Sequence, residues 1–191
     1  MLHLIVKIFD KCNRVKMCDY FLKGTALDSW AQCFKIILDM QCPPELSSDT
    51  KDIDEIDKRN KAKFWKLKGI TAKSSYYMFT KYSVPAKIDD WLRPFAKSYM
   101  DKHFSPLLES HLQLIFARKT GFVGSKALNY AFKYITGCTH THNTMATLKP
   151  FVNNILYDTI IPLMLITEND IEIFETEPTE YIRDQYSYAE T

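Results

Sequence analysis

The sequence predicts an all-α fold, an α-α superhelix of about three to four stacked helix pairs. Three observations predict it. Apolar residues recur at three- and four-residue spacing along most of the chain, the period of a helix with one face turned to a core. Only 5 of the 191 residues are Gly, and no alternating β-branched run marks a strand. The helical stretches are long, joined by short turns, and each bears one apolar stripe that only a neighbouring helix can cover.

The elements follow in order. Residues 2–12 place Leu2, Ile5, Val6, Ile8 and Phe9 mostly on one face and predict a helix. This pattern begins at Met1 with no cap before it, which suggests a chain cut from something longer, with a natural short start as the alternative. A connector ends at Gly24; Thr25 with Asp28 resembles a capping box, and a helix follows through Trp30, Ala31, Phe34, Ile37 and Leu38. Pro43 and Pro44 stop it. Residues 45–57 read as an acidic loop holding Glu45, Asp49, Asp52, Asp54, Glu55 and Asp57. A basic helix starts at Lys58 and runs to about Lys81, with Phe64, Leu67, Thr71 and Phe79 as inward candidates. Gly69 weakens it by about 1 kcal/mol relative to Ala. Residues 83–87, with Pro85, are a turn.

From Trp91 one stripe runs through Leu92, Phe95, Ala96, Tyr99, Met100, Phe104, Leu107, Leu108, Leu112 and Ile115. It passes Pro94 and Pro106, so it is one kinked helix or two nearly collinear ones. Lys119-Thr120-Gly121 ends it. Residues 122–138 form another helix, with Val123, Ala127, Tyr130, Ala131, Tyr134, Ile135 and Cys138 buried; THTHNT after it is a loop. The stretch 148–167 has the clearest apolar face: Leu148, Phe151, Val152, Ile155, Leu156, Ile160 and Leu163. It reads as the helix the chain is organised around, capped by Thr147, with Pro150 in its first turn and a bend at Pro162. An acidic connector at 167–178 and a short helix near 180–188 complete the chain.

Composition excludes several classes. A hydrophobic fraction of 46% argues against disorder, and a net charge of +2 selects neither nucleic acid nor a membrane surface. The opening MLHLIVKIF is too short for a span, and nothing else approaches about 18 uninterrupted apolar residues. The five Cys (Cys12, Cys18, Cys33, Cys42 and Cys138) lack framework spacing, which suggests reduced thiols in a cytosolic or nuclear compartment.

Few motifs bear chemistry. Cys138, His140 and His142 lack the second pair that a closed zinc site needs; a polar loop accounts for them. His103 and His111 read as flanks of the apolar stripe rather than catalytic bases. There is no P-loop, nucleophile elbow or dinucleotide fingerprint, so no enzyme, catalytic residue, cofactor or metal is expected. The lysines from Lys58 to Lys73 read as a solvated face, because the acidic stretch before them cancels much of their field. That stretch has two readings, a solvated linker or a contact for basic protein through Asp49, Asp52, Asp54, Glu55 and Asp57.

Helices recurring in pairs match a HEAT-type period of about 40–47 residues. A compact helical bundle is the competing fold. The residues also carry a resemblance. LKPFVNNILYDTIIPLM, an acidic linker and EPTEYIRDQ are similar to the importin-7/importin-8 branch of the importin-β (karyopherin) superfamily. LIVKIFDKC, TALDSWAQCFKIILDM with Trp30, the triplet Phe64-Trp65-Lys66 and ALNYAFKYITGCTHTHNTMAT follow the same likeness in colinear order. One departure is Gly69-Ile70, where the family continues with a basic pair and another Trp.

The resemblance implies an internal HEAT-repeat segment, residues 1–191, of a solenoid several times longer. It implies a nuclear import receptor that takes protein cargo in the cytoplasm and releases it to Ran-GTP in the nucleus, passing nucleoporins on the way. Basic cargo is usual in the family. An export receptor of the same superfamily, a helical scaffold with no transport role and an RNA-contacting module stay open as alternatives.

Overall fold

The computed structural model describes residues 2–14, 26–50, 52–83, 88–165, 168–179 and 182. Among them there are helices and no strand. In chain order they are α1 (Leu2–Arg14), α2 (Ala26–Asp39), the single turn α3 (Pro44–Ser47), α4 (Ile53–Lys61), α5 (Lys63–Tyr82) and α6 (Arg93–Tyr99). Then come α7 (Ser105–Ala117), α8 (Ser125–Cys138), α9 (His142–Leu148), α10 (Val152–Ile155), α11 (Ile161–Met164) and α12 (Glu168–Thr176).

Two layers result. In one, α1 packs on α5 and α5 on α8; in the other, α2 packs on α7, and α7 on the turn between α10 and α11. The layers join where α5 meets α2 and α8 meets α7. Order within each layer follows the chain, so each pair leans on the next. This open-ended stacking is an α-solenoid, and the described residues form three pairs: α1/α2, α5/α6–α7 and α8/α9–α11.

The helix at the centre is α5, not the stretch 148–167. Helix α5 buries Trp65, Ile70, Ala72, Met78, Phe79 and Tyr82, and also Gly69, Thr71, Ser74 and Ser75. Those small residues let α1, α2 and α8 approach its backbone from several sides. Phe79 stacks on Tyr134 at 4.5 Å and on Phe104 at 5.6 Å between ring centroids. Of the inward candidates in α5, Thr71 and Phe79 are buried, while Phe64 and Leu67 are half-buried at the edge. A stripe of small side chains has little apolar signal, so the pattern understated this helix.

Among the described residues of 148–167 only Leu148, Ile155 and Thr159 are buried; Phe151, Val152 and Ile160 are half-buried, and Leu156 and Leu163 are exposed. Thr147 is no cap, since its hydroxyl donates to the Asn143 carbonyl at 3.2 Å within α9. Among the described residues this segment lies at the end of the stack, and Leu156 and Leu163 of its stripe stay exposed there.

The prolines explain the irregular turns. Pro94 follows a 3-10 turn at Asp90–Leu92, and Pro150 sits inside one at Lys149–Phe151. Pro106 and Pro162 each stand in the first turn after a five-residue π-helical segment, Met100–Phe104 and Leu156–Ile160. A proline lacks an N–H and crowds the carbonyl a turn earlier. Wider or tighter turns absorb both defects, so the run from Asp90 to Ala117 continues as one irregular helical path.

The acidic segment differs from its expectation. It is not a loop throughout, because α4 begins at Ile53, well inside it. Asp52 caps α4, its side chain accepting from the backbone N–H of Asp54 at 2.9 Å and of Glu55 at 3.4 Å. The chain then bends at Ala62, whose extended backbone (ψ 143°) separates α4 from α5. The acidic connector is likewise partly helical, as α12. Helix α9 also starts inside the expected THTHNT loop, with Thr141 as its cap. Thr25, most of the connector after α1, residues 84–87 and most of the expected last helix lie outside the described residues.

Candidate binding surface

The five carboxylates Asp49, Asp52, Asp54, Glu55 and Asp57 read from the sequence as a solvated linker or as a contact for basic protein. The structure gives four of them local partners. Asp49 pairs with Arg118 at 3.0 Å. Asp52 is the cap of α4. Glu55 accepts from Arg59 Nε at 2.9 Å and lies 3.4 Å from Lys58, and the Arg59 bond holds its carboxyl below the usual range. Asp57 pairs with Lys61. Asp54 is exposed and has no ion pair among the described residues. Asp52, Asp54 and Asp57 all stay open to solvent, along one short segment.

This segment is anchored by residues that pattern reading missed. Arg59 is buried, donates to the Ser48 carbonyl and lays its guanidinium over the Phe122 ring at 5.7 Å. The Phe122 N–H donates to the Ser47 carbonyl at 2.8 Å. Arg118 also donates to the Gly121 carbonyl at 3.2 Å. The 47–49 turn is thereby zipped to the corner between α7 and α8. The Glu55/Arg59 spacing is a helical (i, i+4) pair and was readable; Arg118 carried no local signal.

Behind the zip lies a hollow of about 480 Å³, lined by the end of α2, by Trp65 and Lys68, and by residues 117 and 120–123. Lys68 is 5% exposed, and its Nζ donates to the Leu38 carbonyl at 2.8 Å. Burial pulls its pKa down to about 8. A cation on an orphan carbonyl at a helix C-terminus complements that end of the dipole, so Lys68 serves as the cap of α2.

The histidines and cysteines do not converge. His111 belongs to the core rather than the flank: it bonds Ser75 Oγ at 3.1 Å and stacks on Tyr134 at 4.2 Å. Burial lowers its pKa to about 3, so the ring is neutral. His103 bonds Asp28, which ties α2 to the π-helical segment Met100–Phe104. Cys138 is buried while His140 and His142 are exposed. Among the described residues no group of three His, Cys, Asp or Glu could hold a metal ion, and no helix is long and apolar enough to cross a membrane. Cys33, Cys42 and Cys138 are free thiols.

The chain has relatives among known proteins. Residues 1–187 match the Cse1 family. The chain is 26% identical over 188 residues to importin-8 of Homo sapiens, covering 97% of this chain and 18% of that protein. It is 24% identical over 188 residues to an importin beta-like SAD2 homolog of Arabidopsis thaliana, covering 98% and 18%. A probable importin-7 homolog of Dictyostelium discoideum is 20% identical over 195 residues, again covering 98% and 18%. The chain therefore spans under a fifth of the length of these relatives. No solved structure matches it.

Proposed function

This chain belongs to the Cse1 family, in the importin-7/importin-8 branch of the importin-β superfamily, and from that membership we propose that it is an internal stretch of a nuclear import receptor. The observation that carries the reading is the family match along residues 1–187. The HEAT-repeat solenoid supports it, since stacked pairs that slide against one another can couple distant ligands.

In this reading the work is binding, with no covalent step and no cofactor. The whole receptor moves between cytoplasm and nucleus, contacts nucleoporins and exchanges protein cargo for Ran-GTP. The exposed carboxylates Asp52, Asp54 and Asp57 favour Lys/Arg-rich cargo by steering and charged hydrogen bonds. An apolar face at each end of the segment supports a further repeat stacked there. Leu4 and Ile8 are exposed on α1, and Leu156, Leu163 and Met164 on the last turns.

The test uses the full-length protein. Binding of a fluorescently labelled basic cargo, such as a histone, is measured with and without GTP-loaded Ran. An import receptor loses cargo affinity when Ran-GTP is added. A rise in affinity identifies an export receptor, and no response removes the transport reading.

A further inference from the structure

Trp65 and Lys68 stand one turn apart on α5, and both line the hollow of about 480 Å³ behind the 47–49 turn. Neither donor is fully met. The ammonium of Lys68 gives one N–H to the Leu38 carbonyl and makes no ion pair among the described residues. The rings of Phe64 and Trp65 flank it at 5.1 and 6.0 Å, an attraction weaker than a counter-charge gives. Two of its N–H groups are left for an acceptor. A buried charge in this setting is costly unless something of opposite sign accompanies it.

Trp65 supplies a second donor. It is 4% exposed, and its Nε1–H has no hydrogen-bond partner. A Cβ placed on Gly124 would lie 2.9–3.0 Å from Cβ, Cδ2 and Cε3 of Trp65. That edge of the indole faces Gly124, which does not line the hollow, and the opposite edge carries Nε1. The remaining lining divides in two. Leu114, Phe122 and Val123 form an apolar wall, while Gln41 and Gln113 offer amides at the exposed rim. Asp39 also lines the hollow, but its charge is answered by Lys35 and by the Ser110 hydroxyl at 2.6 Å. The size falls among those of small-ligand sites, about 300–1,000 Å³.

We propose that this hollow binds a carboxylate carried on a small apolar body. The carboxylate sits against Lys68 and accepts from Trp65 Nε1–H, and the apolar body lies on Leu114, Phe122 and Val123. Lys68 gains a counter-ion while keeping its hold on Leu38. Of the lining residues Lys68 alone is a Lys or Arg, and one cation suits a single carboxylate better than a doubly charged phosphate. Two sources carry this chemistry, a free organic acid and the C-terminal residue of a peptide. The site is separate from the exposed carboxylates of α4, and its ligand has the opposite charge to theirs.

The test is a ligand-observed NMR titration of the full-length protein. The probes are phenylbutyrate and acetyl-Gly-Leu with a free C-terminus, each beside its neutral amide. At least one acid should bind about tenfold more tightly than its amide, the effect of a hydrogen bond to a charged group. Lys68→Met keeps the stem and removes the charge, so acid and amide should then bind alike. Ala117 lines the hollow from the exposed end of α7. Ala117→Trp should fill it and weaken the acid by a similar factor, with the circular dichroism spectrum kept. This variant decides the matter if Lys68→Met does not fold. Lys97→Met, at an exposed lysine outside the hollow, should change nothing. Tighter binding of phenylbutyrate identifies a free acid as the ligand, and tighter binding of the dipeptide a chain terminus. The proposal is overturned if neither acid outbinds its amide, if the preference survives Lys68→Met or Ala117→Trp, or if Lys97→Met removes it equally.

Discussion

His111 is buried against Tyr134 with one ring nitrogen bonded to Ser75 and Nδ1 without a partner. Its folded pKa of about 3 lies below the ordinary 6.5. As pH falls between those values, the unfolded chain takes up a proton that the folded one refuses. Stability is therefore full above pH 6.5 and drains away below it. The loss by pH 5 is about 2 kcal/mol. Urea unfolding of the chain at pH 7 and pH 5 should show it, and His111→Gln, which cannot titrate, should shrink the difference. A second single-residue effect belongs to Gly121. A Cβ there would lie 2.2 Å from the Ser47 carbonyl oxygen, a backbone atom that cannot step aside. Gly121→Ala should cost about 1–3 kcal/mol in the same assay, by forcing the zipped turn away from the corner.

At the scale of elements, α4 shows how one residue can hold two possible jobs. Asp52 caps the helix and also belongs to the acidic surface. Asn caps about as well as Asp, whereas Ala does not. Asp52→Ala should therefore cost about 1 kcal/mol of stability, while Asp52→Asn should cost almost none. If both variants bind a basic peptide as the parent does, Asp52 is a cap alone. If both lose affinity, its charge serves the surface as well. The prolines teach a related lesson about the long helical path between Asp90 and Ala117. Pro106 does not break it, because the π-helical segment before it widens the turn.

At the scale of the whole molecule, the solenoid's ends dominate. Leu4 is 62% exposed in α1 and Met164 is 77% exposed at the far end, each among other bare apolar side chains. Faces of this kind associate in water. The isolated chain should thus sediment heavier as its concentration rises. Ile8→Glu combined with Met164→Glu should return it toward a monomer, with little change in helical circular dichroism. A chain that stays monomeric at all concentrations would remove the case for further repeats stacked on these faces.

Much of the fold was legible because exposed and buried faces alternate at a helix's own period. The stripe from Leu92 to Ile115 and the set from Val123 to Cys138 fall in the core or at its edge. The role of α5 was hard to see, since Gly69, Ser74 and Ser75 are buried by neighbours and not by their own hydrophobicity. In the acidic segment the dense charge masks the cap at Asp52 and the ion pairs of α4. The spacing Asp52-x-x-Glu55 is itself the signal of a capped helix start.

What the sequence by itself determined is local: which residues turn inward, where the helices run, and which family the chain resembles. Periodicity is a property of neighbours along the chain, so it survives without coordinates. What only the tertiary structure decided is which distant residues meet. The Arg118–Asp49 pair, the Lys68 cap on Leu38 and the Lys73–Asp10 pair join residues far apart in the chain. Their partners are chosen by how the helices stack, and no local pattern encodes that choice.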